Sequence, residues 1–221
     1  MKNEQNSISR RAALGFVASS TLAVACADDP APTATADVTP LNGLLSAEYD
    51  AIKAYEAGLA ILRSPPMGDP FTVLARDLTR IATRWQSQHR DHASALEAAI
   101  RTNYGTPVRE IDVMFTAPNP FPASIVNVLK LACNKERIAA IAYNDAVKAM
   151  RANGNRFLAG SIEGDETQHF IILHSLLRQL AEPGATILEA DMVPTSFVST
   201  VAAGTNPAGL QTILDFGFGA S

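Results

Sequence analysis

Apolar residues recur at steps of three and four through four stretches of the chain, the spacing that places them on one face of an α-helix. The first stretch runs from about Leu41 to Arg63 and stops at Ser64-Pro65-Pro66. The second, introduced by Asp69 as N-cap and Pro70 in the first turn, continues to about Asn103, ahead of Gly105 and Pro107. The third spans Pro122 to Ala152, where Asn153-Gly154 is expected to close it, and the fourth runs from Asn155 to about Glu182, before Pro183-Gly184. The gaps between one and two and between three and four are short, so each pair is antiparallel. Between two and three lie some eighteen residues, Tyr104 to Phe121. At about 3.3 Å per extended residue, this segment can cross the whole length of a bundle. The pattern predicts an all-α four-helix bundle with one long crossover.

Each apolar stripe is interrupted at its middle by Glu or His. The first carries Glu48 between Leu45 and Ile52, and the second, whose core face is expected to begin Leu74, Leu78, Ile81, Trp85, carries His89 and His92 ahead of Leu96. The third carries Glu136 between Ala132 and Ala140, and the fourth Glu166 and His169 between Ile162 and Leu173. An unpaired carboxylate in a core costs several kcal/mol, so three carboxylates meeting three imidazoles there suit a divalent cation. Depth agrees for the first pair. At 1.5 Å per residue, Glu48 lies about 24 Å and His89 about 28 Å from their hairpin loop. For Glu136 and Glu166 the expected depths match less well, about 26 against 16 Å.

These residues resemble those of the ferritin-like, rubrerythrin-type di-iron carboxylate family. Its pattern is a Glu from each of two helices and a Glu-x-x-His from each of the other two. Glu48 with Tyr55 and Glu136 with Tyr143 match the family's Glu-x6-Tyr, and Glu166-Thr167-Gln168-His169 matches Glu-x-x-His. The departure is His89-Arg90-Asp91-His92, which puts His where the family has a bridging Glu. Gln86-x-x-His89 is an alternative register that puts the neutral Gln86 where the bridging Glu belongs; His89/His92 is preferred because both lie on the apolar stripe. The resemblance implies a ferritin-like fold over residues 41–182. It also implies one or two iron ions (manganese or zinc being alternatives) held by Glu48, His89, His92, Glu136, Glu166 and His169. Tyr55 and Tyr143 would orient the carboxylates. The implied chemistry is oxidation of iron, or reduction of oxygen or peroxide, with no catalytic residue singled out. The other reading is a non-catalytic module for stress protection or envelope interaction, its metal site vestigial. His174 lies off the stripe and is expected to be an ordinary core residue, and Glu163 a solvated one.

Composition adds little to the chemistry and more to location. Hydrophobic residues make up 47% of the 221, charged residues 18%, and the formal net charge is −4 without a basic tract, which excludes nucleic acid as a partner. Ser9-Arg10-Arg11 followed by Leu14 and an uncharged run to Ala25 resembles a twin-arginine export signal over residues 1–26. Ala23-Val24-Ala25-Cys26 resembles a lipobox that would lipidate Cys26. The expected location is the periplasm or the outer face of the membrane, with a Pro/Ala/Thr-rich tether over residues 27–40 and a tail over 183–221 packed on the bundle. Such a tether fits a closed storage cage poorly and a homodimer acceptably. Cys133 is expected to be a small buried apolar residue.

Overall fold

Four α-helices dominate residues 35–181, the part of the chain that this computed structural model describes: α1 Val38–Arg63, α2 Ala75–Thr102, α3 Ile125–Ala149 and α4 Asn153–Ala181. The stretch expected to be an export signal, with Cys26, residues 27–34 of the expected tether and the 183–221 stretch expected to be a tail lie outside the described residues. Among the described residues no strand occurs, and no helix is long and apolar enough to cross a membrane. α1 and α2 form one antiparallel hairpin and α3 and α4 the other. α1 packs along α3 in the opposite direction, and α2 faces α4. The crossover runs the length of the bundle, as the connection lengths require. It is fastened to α1 by Asn42, which donates to Thr106 O and accepts from Val108 N, and by Lys53, which donates to the carbonyls of Glu110 and Val113.

The helix ends differ from the sequence expectation where a side chain reaches over from another element. Asp37 is buried and accepts from Arg151 N, Ala152 N and Asn155 Nδ2. It thereby satisfies donors that the α3–α4 hairpin would otherwise leave bare. α3 therefore ends at Ala149, and Asn153-Gly154 opens α4 rather than closing α3. α1 likewise begins at Val38, inside the stretch read as tether. Asp69 does not directly precede the second helix. A 3-10 turn over Thr72–Leu74 intervenes, and the Asp69 carboxylate accepts from Phe71 N and from Ile125 N at the start of α3. α3 begins at Ile125 rather than Pro122, because Ser124 is extended and caps it by accepting from Asn127 N.

The core is two apolar layers with a polar one between them. At one end Leu41, Leu45, Leu96, Ile100 and Met150 are fully enclosed; at the other Leu59, Ile125, Leu129 and Leu173 are. Ile81, expected in the core, is 41% exposed. The inward face of α2 steps from Leu78 to Ala82 by four residues, which leaves Ile81 turned to the side.

Candidate metal centre

The corrected hairpin brings Glu136 and Glu166 level. Each is fifteen positions from Arg151 in the α3–α4 turn, so both sit about 22 Å from it. Glu48, His89, His92, Glu136, Glu166 and His169 all converge in the middle layer, none more than 7% exposed. They form two overlapping groups, Glu48-His89-His92-Glu166 and His89-Glu136-Glu166-His169. Within each group, the candidate ligand atoms lie within 4.8 Å of one another. His89 and Glu166 belong to both.

α1 and α3 supply a matched half. On each, Tyr lies seven positions after Glu, about 10.5 Å along the helix. Because the helices run in opposite directions, equal spacing sets each phenol against the other's carboxylate. Tyr55 donates to Glu136 and Tyr143 donates to Glu48. Burial, followed by the charge of the facing glutamate, raises both phenols well above their usual 10, so each keeps the proton it donates.

α2 and α4 supply the unmatched half. His89 Nδ1 lies 2.8 Å from Glu48 Oε2, and its Nε2 3.2 Å from Glu136 Oε1, so the ring is inserted between two carboxylates. Glu166 occupies the corresponding place on α4, and neither of its oxygens makes a hydrogen bond. His92 Nδ1 is equally without one, although it lies 3.0 Å from Glu166 Oε1 and 3.7 Å from Glu48 Oε1. The outward nitrogens are held. His92 Nε2 lies 3.2 Å from Asp165 Oδ2, and His169 Nε2 3.0 Å from Gln88 Oε1, while His169 Nδ1 faces Glu136 Oε2 at 3.3 Å. Each outer partner directly precedes the shared residue of its helix. Sequence reading missed both, since neither interrupts an apolar stripe; their positions one before His89 and Glu166 are the signal that could have found them.

Electrostatics follow the contacts. Burial opposes a charged ring at His89, but the charge and hydrogen bond of Glu136, with the bond to Glu48, carry it well above the usual 6.5. Burial likewise opposes charge at His92, yet Glu48 and Asp165 raise it. Burial would raise Glu48 and Glu136 too, but the histidines outweigh it and hold both carboxyls below their ordinary 4.5. Glu166 goes the other way. Burial, then repulsion from Glu136, pushes it well above 4.5. Without metal, these contacts favour the charged forms of Glu48, Glu136, His89 and His92 and the protonated form of Glu166.

The remaining sequence candidates fall outside this layer. Gln86 donates to Ile52 O, so the Gln86 register is not the one used. Glu163 is half-buried rather than solvated, accepts from Asn144 and joins neither group. His174 packs against Phe170. Cys133 is a free thiol, 1% exposed, raised by burial to about 12. Tyr55 also lines an apolar cavity of about 50 Å³ with Leu59, Leu78, Trp85, Val128 and Leu173. Trp85 in turn packs on the His169 ring, 4.9 Å between centroids.

A buried carboxylate with neither oxygen in a well-aligned hydrogen bond, 3.0 Å from an imidazole nitrogen that also lacks one, is what a cation site presents when lone pairs rather than protons point inward. Carboxylate and imidazole donors suit a divalent transition metal. The donor set thus fits a metal held by Glu48, His89, His92, Glu136, Glu166 and His169. A search of curated proteins finds no match to the chain. The family model for the ferritin-like domain matches residues 36–179, and the chain belongs to that family.

Proposed function

We propose that this chain is an exported metalloprotein whose central layer binds divalent metal, iron first among the candidates, for oxidation of ferrous iron or reduction of oxygen or peroxide. The observation that carries the reading is the pair of overlapping four-residue groups centred on Glu166 and His89, with the Glu166 oxygens and His92 Nδ1 lacking hydrogen bonds. Bound iron would supply the electron transfer. The chain's own residues do the rest: Glu48, Glu136 and Glu166 bring negative charge, and Tyr55 and Tyr143 hold two of those carboxylates in place. Gln88 and Asp165 aim the inward nitrogens of His169 and His92. The apolar cavity beside Tyr55 is of a size to admit a small apolar reactant such as dioxygen.

Arg10-Arg11 and the Cys26 lipobox support export by the twin-arginine route and retention on the membrane surface. Export after folding is coherent with metal loading in the cytoplasm. Replacing both arginines with lysine should stop export, and Cys26→Ser should release the protein from membranes. Secretion of the Lys-Lys variant, or unchanged fractionation of Cys26→Ser, would contradict the respective half.

One observation favours a vestigial site instead. His89 already pairs with both Glu48 and Glu136 without metal, as an ion-paired structural layer would. Elemental analysis of protein purified without added metal, followed by ferrous-iron oxidation and peroxide-consumption assays, separates the two. Stoichiometric metal with turnover supports the metalloprotein. Metal-free protein that takes up no added ferrous ion, manganese or zinc supports the vestigial layer.

A further inference from the structure

We propose that His89 binds two metal ions at once, one through each ring nitrogen, in place of the bridging carboxylate of the ferritin-like pattern. This rests on the metal-binding reading above and adds the number of ions and the group that joins them.

Position 89 is shared by both four-residue groups, as a bridging ligand must be. Its two nitrogens are divided between them. Nδ1 is turned to the Glu48 side, 2.8 Å from Glu48 Oε2 and 3.5 Å from Glu166 Oε1. Nε2 is turned to the Glu136 side, 3.2 Å from Glu136 Oε1. The ring is 1% exposed and packs against the Tyr55 ring, 5.2 Å between centroids, so this division is fixed by packing.

Charge balance points the same way. Two divalent ions bring four positive charges into a layer with three carboxylates. The ferritin-like pattern supplies the fourth negative charge from a fourth carboxylate. An imidazole bonded to metal through both nitrogens has released its ring protons to solvent and supplies that charge itself. Of the other carboxylates on α4, Glu163 is engaged with Asn144 and Asp165 with the outward nitrogen of His92, and neither joins a group.

A ring between the ions holds them further apart than a carboxylate does. Two metal–nitrogen bonds of about 2 Å each, with the width of the ring between its nitrogens added, exceed the roughly 3.5–4 Å of ordinary two-metal sites. The test is zinc loading of the purified full-length chain, with zinc counted by elemental analysis and located by anomalous diffraction. The wild type should hold two ions separated by more than about 4 Å. His89→Glu should still hold two and draw them to roughly 3.5–4 Å. His89→Gln, checked for helicity by circular dichroism, should fall from two ions to one. One ion in the wild type, a wild-type pair at the carboxylate spacing, or two ions retained by His89→Gln would each overturn the bridge while leaving metal binding intact. Wild-type protein that binds no zinc, manganese or ferrous ion would overturn the metal-binding reading and the bridge with it.

Discussion

Two helix pairs build the centre and they are built differently. α1 and α3 are interchangeable: each offers a Glu and, two turns later, a Tyr, and the antiparallel packing trades the phenols crosswise. α2 and α4 share the outer arrangement, in which Gln88 and Asp165 hold each other's histidines. They part at one position, His89 against Glu166. All the imbalance of the layer collects there. His89 has a carboxylate on each nitrogen, and Glu166 faces His92 Nδ1 at 3.0 Å and His89 Nδ1 at 3.5 Å without a well-aligned hydrogen bond to either. The matched half makes a rigid frame. The unmatched pair decides what the frame holds.

The sharpest way to break this contrast is to separate metal binding from stability. Glu166→Met should abolish metal uptake, since both four-residue groups lose a shared ligand. The same change should leave the metal-free protein as stable or more so, because a buried carboxyl without a hydrogen bond gives way to an apolar side chain of similar size. Metal counting and denaturant melts on one preparation check both halves. His89→Ala should do the opposite to the metal-free fold. Removing the cation between Glu48 and Glu136 leaves two buried charges exposed to each other, at a cost of about 3–5 kcal/mol in chemical denaturation. Equal destabilisation by the two variants would erase the distinction.

The matched half should respond symmetrically. Tyr55→Phe and Tyr143→Phe each remove one hydrogen bond to a buried carboxylate, worth about 1.5–3 kcal/mol, and the two melts should shift alike. A large difference between them would show that the crosswise exchange is not equivalent.

The unmatched pair makes pH act in opposite senses on the two forms. Raised imidazoles at His89 and His92 stabilise the metal-free fold fully below their ordinary 6.5, and that stability is lost as pH rises through their folded values. Glu166, raised above 4.5, adds a loss of the same sign on rising pH, whereas the lowered Glu48 and Glu136 lose their contribution only as pH falls below 4.5. Melts of metal-free protein should therefore fall progressively above about pH 6.5. Metal affinity should climb over the same range, because the imidazoles and Glu166 must give up protons to bind. Parallel trends in the two curves would contradict the assignment. The smallest effects belong to the outer partners. Gln88→Leu should weaken metal binding by about tenfold or more, and Asp165→Asn by less, since water can replace a side chain that is half exposed.

Much of this was legible in the chain because it is written in periodicity. Polar interruptions of four apolar stripes identify all six candidate ligands, and connection lengths alone give the topology. What the stripes could not show depends on elements far apart in sequence. The mismatch in depth between Glu136 and Glu166 arose from reading Asn153-Gly154 as a helix end. The carboxylate that changes that reading, Asp37, lies more than a hundred residues away, in a stretch whose composition suggests a tether. Gln88 and Asp165 are ordinary polar residues at the edge of a helix until the opposite helix brings a histidine to each. Ile81 looked internal because steps of three and four both suit it, and only the packing of Ala82 decides between them.

The most direct test of the centre is diffraction from protein crystallised after growth on iron, with data on both sides of the iron absorption edge. The account predicts anomalous density in the middle layer, within ligand distance of Glu166 and bounded by His92 on one side and His169 on the other. Iron found only at the surface, with Glu166 left protonated among the other five side chains, would contradict it.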